Sequence, residues 1–288
     1  MEFEKFSKQA IKQIDKQLEQ LLKEWRREVG KIDTKLLPLV DKFIAGCNGG
    51  KKLRGILVVL GYKLARSNKE EDENDVYKVA ASYEIFHSAI LVHDDIIDQS
   101  LQRRGKPSLY QALGGNHYGI SQTVSLGDAG FFLAMKIISG ANFPKERKIS
   151  ALKLFSKVML DTALGEILDL EKADPLVVMR LKTAYYTISG PLQIGAILGG
   201  LSPTSPRLSG VKEFGENLGI AFQIQDDILD SEVDFWGGAE KAKKQAEKYK
   251  NQAMKILPQI TGPAGRSKNP KMSKILEQMG EYLVDRNN

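Results

Sequence analysis

Two stretches of this chain place carboxylates in one shared pattern: Asp94-Asp95-Ile96-Ile97-Asp98 and Asp226-Asp227-Ile228-Leu229-Asp230. Each follows an apolar run and carries aliphatic residues at its two inner positions, unlike a solvated run of charge. On a helix, the first and third acids of such a DDxxD triplet lie one turn and about 40° apart, so they share a face. Carboxylates on otherwise buried helices must be neutralised by partners or metal ions. An all-oxygen ligand set suits Mg²⁺, which keeps several waters and is completed by phosphate oxygens. One such triplet reads as an exposed acidic turn. Two copies in matched apolar settings point to metal, with Asp94, Asp95, Asp98, Asp226, Asp227 and Asp230 as candidate ligands.

Cations stand close by in the sequence. Arg103, Arg104 and Lys106 follow the first triplet, and GGKKLRG at 49–55 supplies Lys51, Lys52 and Arg54 after a glycine pair. Lys51 and Arg54 share one helical face, and glycines before a helix start allow a close backbone approach to an anion. Arginine forks match phosphate geometry. His87 precedes Asp94 by two helical turns, about 10 Å along the axis on nearly the same face. Alone, GGKKLRG reads as a loop opening an exposed helix, and His87 as a satisfied core residue. The alignment of His87 with the acidic face favours a ligand-contact role for it. Carboxylates would gather divalent metals, the metals would hold one diphosphate, and the basic side chains would hold a second or flank the first. Metal coordination makes diphosphate a good leaving group by stabilising the charge that develops as its C–O bond breaks.

Long helices must position these groups. In residues 3–25, Phe6, Ala10, Ile14, Leu18, Leu21, Leu22 and Trp25 recur at helical intervals. Similar spacing runs through 76–98, 121–139, 149–172, 175–199, 211–230 and 237–257. Glycine and proline punctuate the gaps at 46–50, 105–108 and 202–206. No alternating strand pattern of useful length and no short repeat is present. The expectation is an all-α, single-domain bundle of about ten or more helices over residues 1–288, with its site built from facing helices.

Composition narrows the class. The chain has 288 residues, 42% hydrophobic and 27% charged, enough for a large core. Its single cysteine, Cys47, permits no internal disulfide and favours a reducing compartment. The N-terminal MEFEKFSKQA does not read as a secretory signal, and no run approaches the ~18 apolar residues of a membrane span. A cytoplasmic protein without an integral membrane segment is expected. The net charge of +6 is spread among interleaved lysines and glutamates, without a basic patch alternating with aromatics. That argues against a nucleic-acid partner and suits polyanionic small substrates.

The stretches GGKKLRG, EIFHSAILVHDDIIDQSLQRRGKPS, GEILDL, RLKTAYYTISGP and FQIQDDILD, in that order, resemble the trans-isoprenyl diphosphate synthases, or polyprenyl synthetases. The resemblance runs up to Asp230 and resumes near Gly237. It implies an isoprenoid-synthase-type bundle around a central cavity, about three Mg²⁺ per active site and a homodimer. The implied reaction is ionisation-driven condensation of isopentenyl diphosphate with an allylic diphosphate (dimethylallyl, geranyl or farnesyl). Mg²⁺ on Asp94, Asp98 and Asp226 would draw off the allylic diphosphate, so the aspartates act as metal ligands. Lys51, Arg54, His87 and Arg104 match positions that hold isopentenyl diphosphate; Arg103, Lys182, Thr183 and Gln223 match positions that hold the allylic diphosphate, Lys182 being counted also with the catalytic group. Without the resemblance, Lys182-Thr183 is an ordinary polar pair and Gln223 a core amide.

Two departures stand out. The arginine-proline usual after the first basic motif is Arg54-Gly55 here. After the second triplet the sequence runs from DDILDSEVD into FWGGAEKAKKQAEKYK, so that between about 234 and 237 the family's closing segment is either absent or present in the molecule and missing from this sequence. Weak turnover, or a non-catalytic partner subunit, is the expectation attached to that gap. For product length, Ala89 and Ile90, five and four residues before Asp94, are the expected gate. Small Ala89 lets the tail pass, and Phe86, Phe131 or Phe132 blocks further growth. A twenty-carbon product, geranylgeranyl diphosphate, is favoured over fifteen carbons or twenty-five and more. A His-Asp metal phosphohydrolase would need more histidines than His87, His93 and His117, and a terpene cyclase would not need GGKKLRG.

Overall fold

The computed structural model describes residues 1–66, 73–262 and 270–284. The secondary structure is helical almost throughout, as the apolar spacing predicts. Helix α1 (Glu2–Ile32) is followed by α2 (Leu37–Cys47), α3 (Leu53–Ala65) and α4 (Asn74–Ile97), then α5 (Leu109–Ala112) and α6 (His117–Gly140). Helices α7 (Lys145–Leu170), α8 (Pro175–Val178), α9 (Gly190–Leu198), α10 (Pro206–Leu229), α11 (Ala239–Thr261) and α12 (Pro270–Val284) complete the order. In α1 the buried face comprises Phe3, Ala10, Ile14, Leu18, Leu22 and Val29, the three- and four-residue spacing of an amphipathic helix. Phe6, Leu21 and Trp25 lie at its margins, half-buried.

Capping fixes where several helices begin. Asn116 accepts from the Gly119 N–H at the start of α6, Asp174 from Leu176 before α8, and Ser205 from Leu208 before α10. Pro175 and Pro206 occupy first helical positions, where the missing N–H is not needed.

The backbone divides into two compact units, each assembled from separated stretches of chain. One comprises Ile11–Gly55 and Glu73–Asn142; the other comprises Met1–Ala10, Ile56–Asp72 and Phe143–Asn288. In the first unit α4 packs along α6, with α2 and α5 against both. In the second, α10 is flanked by α11 and by residues 179–189, which also pack on α7. In that unit α3 and α9 cross at glycines: a Cβ on Gly61 would meet the Leu192 carbonyl oxygen at 2.0 Å, and one on Gly195 the Val58 carbonyl oxygen at 1.9 Å. Only glycine permits that approach.

Two local features differ from the sequence pattern. Residues 175–199 were expected as one regular helix, but Met179–Ser189 is wound as a π-helix between α8 and α9. Pro191 cannot donate to the carbonyl four residues back, and the Gly190 N–H reaches five residues back, to Tyr185. A short hairpin, β1 (Gln102–Arg103) and β2 (Lys106–Pro107), follows the first acidic triplet. Its turn residues Arg104 and Gly105 both have positive φ, 54° and 72°, the arrangement that matches a two-residue hairpin to the strand twist. Strands of two residues are too short to leave an alternating pattern.

Candidate functional site

Both acidic triplets terminate their helices in the same way. Asp94 and Asp95 lie in the last turn of α4, and Asp98 caps it, its N–H donating to the Asp94 carbonyl at 2.9 Å. Asp226 and Asp227 occupy the same places in α10, and the Asp230 N–H donates to the Asp226 carbonyl at 2.9 Å. Beyond each cap the chain turns left-handed, at Gln99 (φ 53°) and Ser231 (φ 64°). The following amides reach back five residues, Ser100 N to Asp95 O at 2.9 Å and Glu232 N to Asp227 O at 2.8 Å. These are Schellman closures made without glycine. Their helix ends carry the negative pole of the helix dipole, the unfavourable end for carboxylates. Each triplet therefore favours a cation.

Within each triplet the three carboxylates divide alike. Asp98 and Asp230 are exposed, and Asp94 and Asp226 half-buried. The middle acids turn inward and are committed to protein partners. Asp95 is buried, with Oδ1 accepting from Arg103 Nε at 2.6 Å, while Arg103 Nη2 reaches Asp94 Oδ2 at 3.1 Å. Burial raises the Asp95 carboxyl above the usual range, opposed by that hydrogen bond. Asp227 is also buried: Oδ1 accepts from Gln223 Nε2 at 2.9 Å and Oδ2 from Trp236 Nε1 at 3.1 Å. Without a bound metal, the oxygens of Asp95 and Asp227 serve neighbouring side chains.

The basic residues of the first unit collect around His87. Burial, followed by Arg54, Arg104, Arg103 and Lys52, holds its imidazole well below the ordinary histidine value. It is therefore neutral near pH 7 amid cations. Arg104 rests on the glycine loop, with Nη1 donating to the Asn48 carbonyl at 3.2 Å. Lys51 is exposed, whereas Lys52 is buried and donates to the Cys47 carbonyl at 2.9 Å. Lys52 thus supports the loop, and its ammonium does not face solvent. Arg54 is half-buried at the start of α3. The next residue, Gly55, donates its N–H to Oε1 of buried Glu84 at 2.8 Å. A proline at 55 has no such hydrogen, so this departure from the family pattern is matched by a specific partner.

In the second unit, Lys182 on the π-helical segment bonds Asp169 Oδ2 at 2.7 Å and Glu166 Oε2 at 2.9 Å. Burial would lower its pKa, but the two carboxylates outweigh it and raise it, so the ammonium stays charged. Thr183 Oγ1 donates to Gln223 Oε1 at 2.8 Å. Thr183, Gln223, Asp227 and Trp236 thus form one continuous hydrogen-bonded chain. Trp236 was not singled out from the sequence. Glu166 and Asp169, one turn apart within GEILDL, were legible only as part of that stretch.

The residues expected to gate product length lie in the first unit. Ala89 is fully buried against α6; a Cβ on Gly130 would come within 2.9 Å of the Ala89 Cβ. The Phe86 ring lies 4.8 Å from that of Phe131, which in turn stacks on His93 at 5.0 Å. Phe132 is 70% exposed in the chain, so its side chain is no part of that buried aromatic cluster. His93 Nδ1 donates to the Ala89 carbonyl at 2.8 Å, and its Nε2 lies 3.3 Å from Asp128, a structural engagement unlike that of a hydrolase ligand.

Among the described residues no three His, Cys, Asp or Glu side chains converge into a ready-made metal cage. The carboxylates of Asp94, Asp98, Asp226 and Asp230, at negative helix ends, are fitting donors for a hard cation.

The polyprenyl synthetase family model matches residues 39–281. Geranylgeranyl diphosphate synthase of Sulfolobus acidocaldarius is 32% identical over 63% of this chain and 54% of its own length. The short chain isoprenyl diphosphate synthase of Methanocaldococcus jannaschii is 31% identical over 69% of this chain and 62% of its own. The chain thus spans somewhat over half the length of these curated relatives. A crystal structure of geranylgeranyl pyrophosphate synthase from Corynebacterium glutamicum, complexed with isoprenyl diphosphate and magnesium, superposes with a TM-score of 0.83. It is 20% identical and covers 98% of this chain and 99% of that one, a likeness of fold.

Proposed function

The chain belongs to the polyprenyl synthetase family, and from that membership we propose that it is a Mg²⁺-dependent prenyltransferase. It condenses isopentenyl diphosphate with an allylic diphosphate to a short all-trans prenyl diphosphate, most favourably geranylgeranyl diphosphate. The observation that carries this reading is the shared division of the two triplets, with the third acid exposed, the first half-buried and the middle acid tied inward. Asp94 and Asp98, and Asp226 and Asp230, would hold the metal. Magnesium, with the diphosphate bound, stabilises the charge that develops on the departing oxygen.

The chain's own side chains do the rest. Arg103, Lys182, Thr183 and Gln223 hold the allylic diphosphate; Lys51, Arg54, Arg104 and neutral His87 hold isopentenyl diphosphate. Lys182 arrives fully charged because Glu166 and Asp169 keep it so. Departure of the allylic diphosphate leaves a carbocation, the isopentenyl double bond attacks it, and the released diphosphate takes the proton. The two units work as one catalytic domain. The protein acts as a cytoplasmic homodimer with about three Mg²⁺ per site; among the described residues no helix is long and apolar enough to cross a membrane.

One observation favours a second reading, a weakly active or non-catalytic partner subunit. Between Asp230 and the start of α11 at Ala239 the chain forms only a short turn and a single 3₁₀ turn, Asp234–Trp236. Purified protein incubated with Mg²⁺, isopentenyl diphosphate and farnesyl diphosphate separates the two readings. A prenyl diphosphate product supports the enzyme; none at any length supports the subunit.

A further inference from the structure

Phe86 and His93 stand seven residues apart on α4, so they share one face of that helix about 10 Å apart along its axis. Between them sits a single ring from α6, within the same first unit. Phe131 lies 4.8 Å from Phe86 on one side and 5.0 Å from His93 on the other, within 10° of parallel to the imidazole. Those two separations fill the space that two helical turns leave. Phe131 is only half-buried, so its orientation depends on the two rings that flank it.

The imidazole is itself held on three sides. Nδ1 donates to the Ala89 carbonyl at 2.8 Å, and Nε2 lies 3.3 Å from Asp128 Oδ1. Against the ring edge α6 carries Gly127, where a Cβ would stand 2.2 Å from His93 Cε1. Any side chain at 127 would displace the ring from a packed seam. Gly127, Asp128 and Phe131, all within five residues of α6, thus form one socket for His93. The helices are equally close on the far side of Phe131, where a Cβ on Gly130 would come 2.7 Å from the Phe43 ring.

We propose that His93 is a specificity-determining residue, which acts by positioning Phe131 and does not touch the reacting atoms. Its ring clamps Phe131 against Phe86, and the closed pair stops the prenyl tail at twenty carbons. A Phe131 ring without His93 beside it turns aside and lets the tail reach twenty-five. The inference rests on the proposed function and adds to it a residue outside the diphosphate and metal contacts.

Two substitutions separate the ring from its hydrogen bonds. His93→Phe keeps a flat ring against Phe131 and loses both nitrogens, whereas His93→Gln keeps polar atoms and loses the ring. Calorimetric binding of geranylgeranyl and geranylfarnesyl diphosphates with Mg²⁺ compares twenty carbons with twenty-five without requiring turnover. The parent should bind the shorter at least tenfold more tightly, the scale on which a packed apolar pocket rejects extra carbons. His93→Gln should lose most of that preference and His93→Phe should keep it. Products from isopentenyl and farnesyl diphosphates should follow suit, with twenty-five carbons appearing only in His93→Gln. A parent without preference, or a preference unchanged in His93→Gln, overturns the clamp. Equal loss in both variants also overturns it, because the stacked ring is then not the device. Thermal unfolding shows whether each variant folds. If His93→Gln does not, Asp128→Asn removes the exposed charge beside Nε2 and should weaken the preference in the same direction; no change there overturns the clamp. A parent that makes no product, yet loses the preference in His93→Gln alone, refutes the proposed activity and leaves the clamp standing.

Discussion

Trp236 Nε1 donates to Asp227 Oδ2 at 3.1 Å while Gln223 Nε2 holds the other oxygen of the same carboxylate. The middle acid of the second triplet is thereby clamped from both sides, in a chain whose stretch between α10 and α11 is very short. Trp236→Phe keeps the ring and removes the N–H. It should cost about 1–3 kcal/mol of stability and raise several-fold the Mg²⁺ concentration needed for half-maximal activity. Thermal unfolding and a metal titration check both; an unchanged metal requirement would show that the clamp has no part in presenting Asp226 and Asp230.

Gly55 and Glu84 form a buried donor–acceptor pair that stands where the family usually carries proline. Glu84→Ala strands the Gly55 N–H and should destabilise by about 1–3 kcal/mol. Gly55→Pro removes the donor and also brings ring atoms toward the Ala80 carbonyl, 3.0 Å from an ideal Cβ. Combining the two should cost less than the sum of the singles, because each removes the same bond. Denaturant unfolding of the four proteins measures this coupling.

His87 sets an acid limit on stability. Its folded pKa is depressed by burial and by Arg54 and its cationic neighbours, from an ordinary value of 6.5. The unfolded chain therefore takes up a proton that the folded chain refuses. Stability from this group is present above about pH 6.5 and is lost as pH falls below it, by up to about 1.4 kcal/mol per pH unit. His87→Gln should flatten that slope between pH 6.5 and 5 relative to the parent.

We propose Phe86, whose ring lies against Phe131, as the floor that limits product length. Phe86→Ala should shift the longest product from twenty carbons to twenty-five or more, read by chromatography of the dephosphorylated prenols. Unchanged product length would remove Phe86 from that role and leave it as core, where its truncation costs about 3–5 kcal/mol.

What could be read from the sequence was periodicity and charge spacing. Apolar residues every three or four positions marked the helices, and Asp94/Asp98 and Asp226/Asp230 were legible as pairs sharing a helical face because helical geometry is local. The inward turn of Asp95 and Asp227 was not, since it depends on Arg103, Gln223 and Trp236. Of these, Trp236 stands in a stretch without helical periodicity. Lys52 looked like its neighbours Lys51 and Arg54, but a positive φ of 49° points it into the protein. The π-winding around Lys182 and Thr183 left no signal in spacing, because it follows from hydrogen bonds rerouted beside Pro191.

The central claim is that both acidic triplets serve one metal-dependent ionisation. Single-turnover prenyl transfer by Asp94→Asn, Asp226→Asn and the double variant, each across a Mg²⁺ titration, tests it most directly. Both singles should fall by orders of magnitude, and the double should fall little further, because either loss already disables the same step. Full activity in either single variant would contradict it.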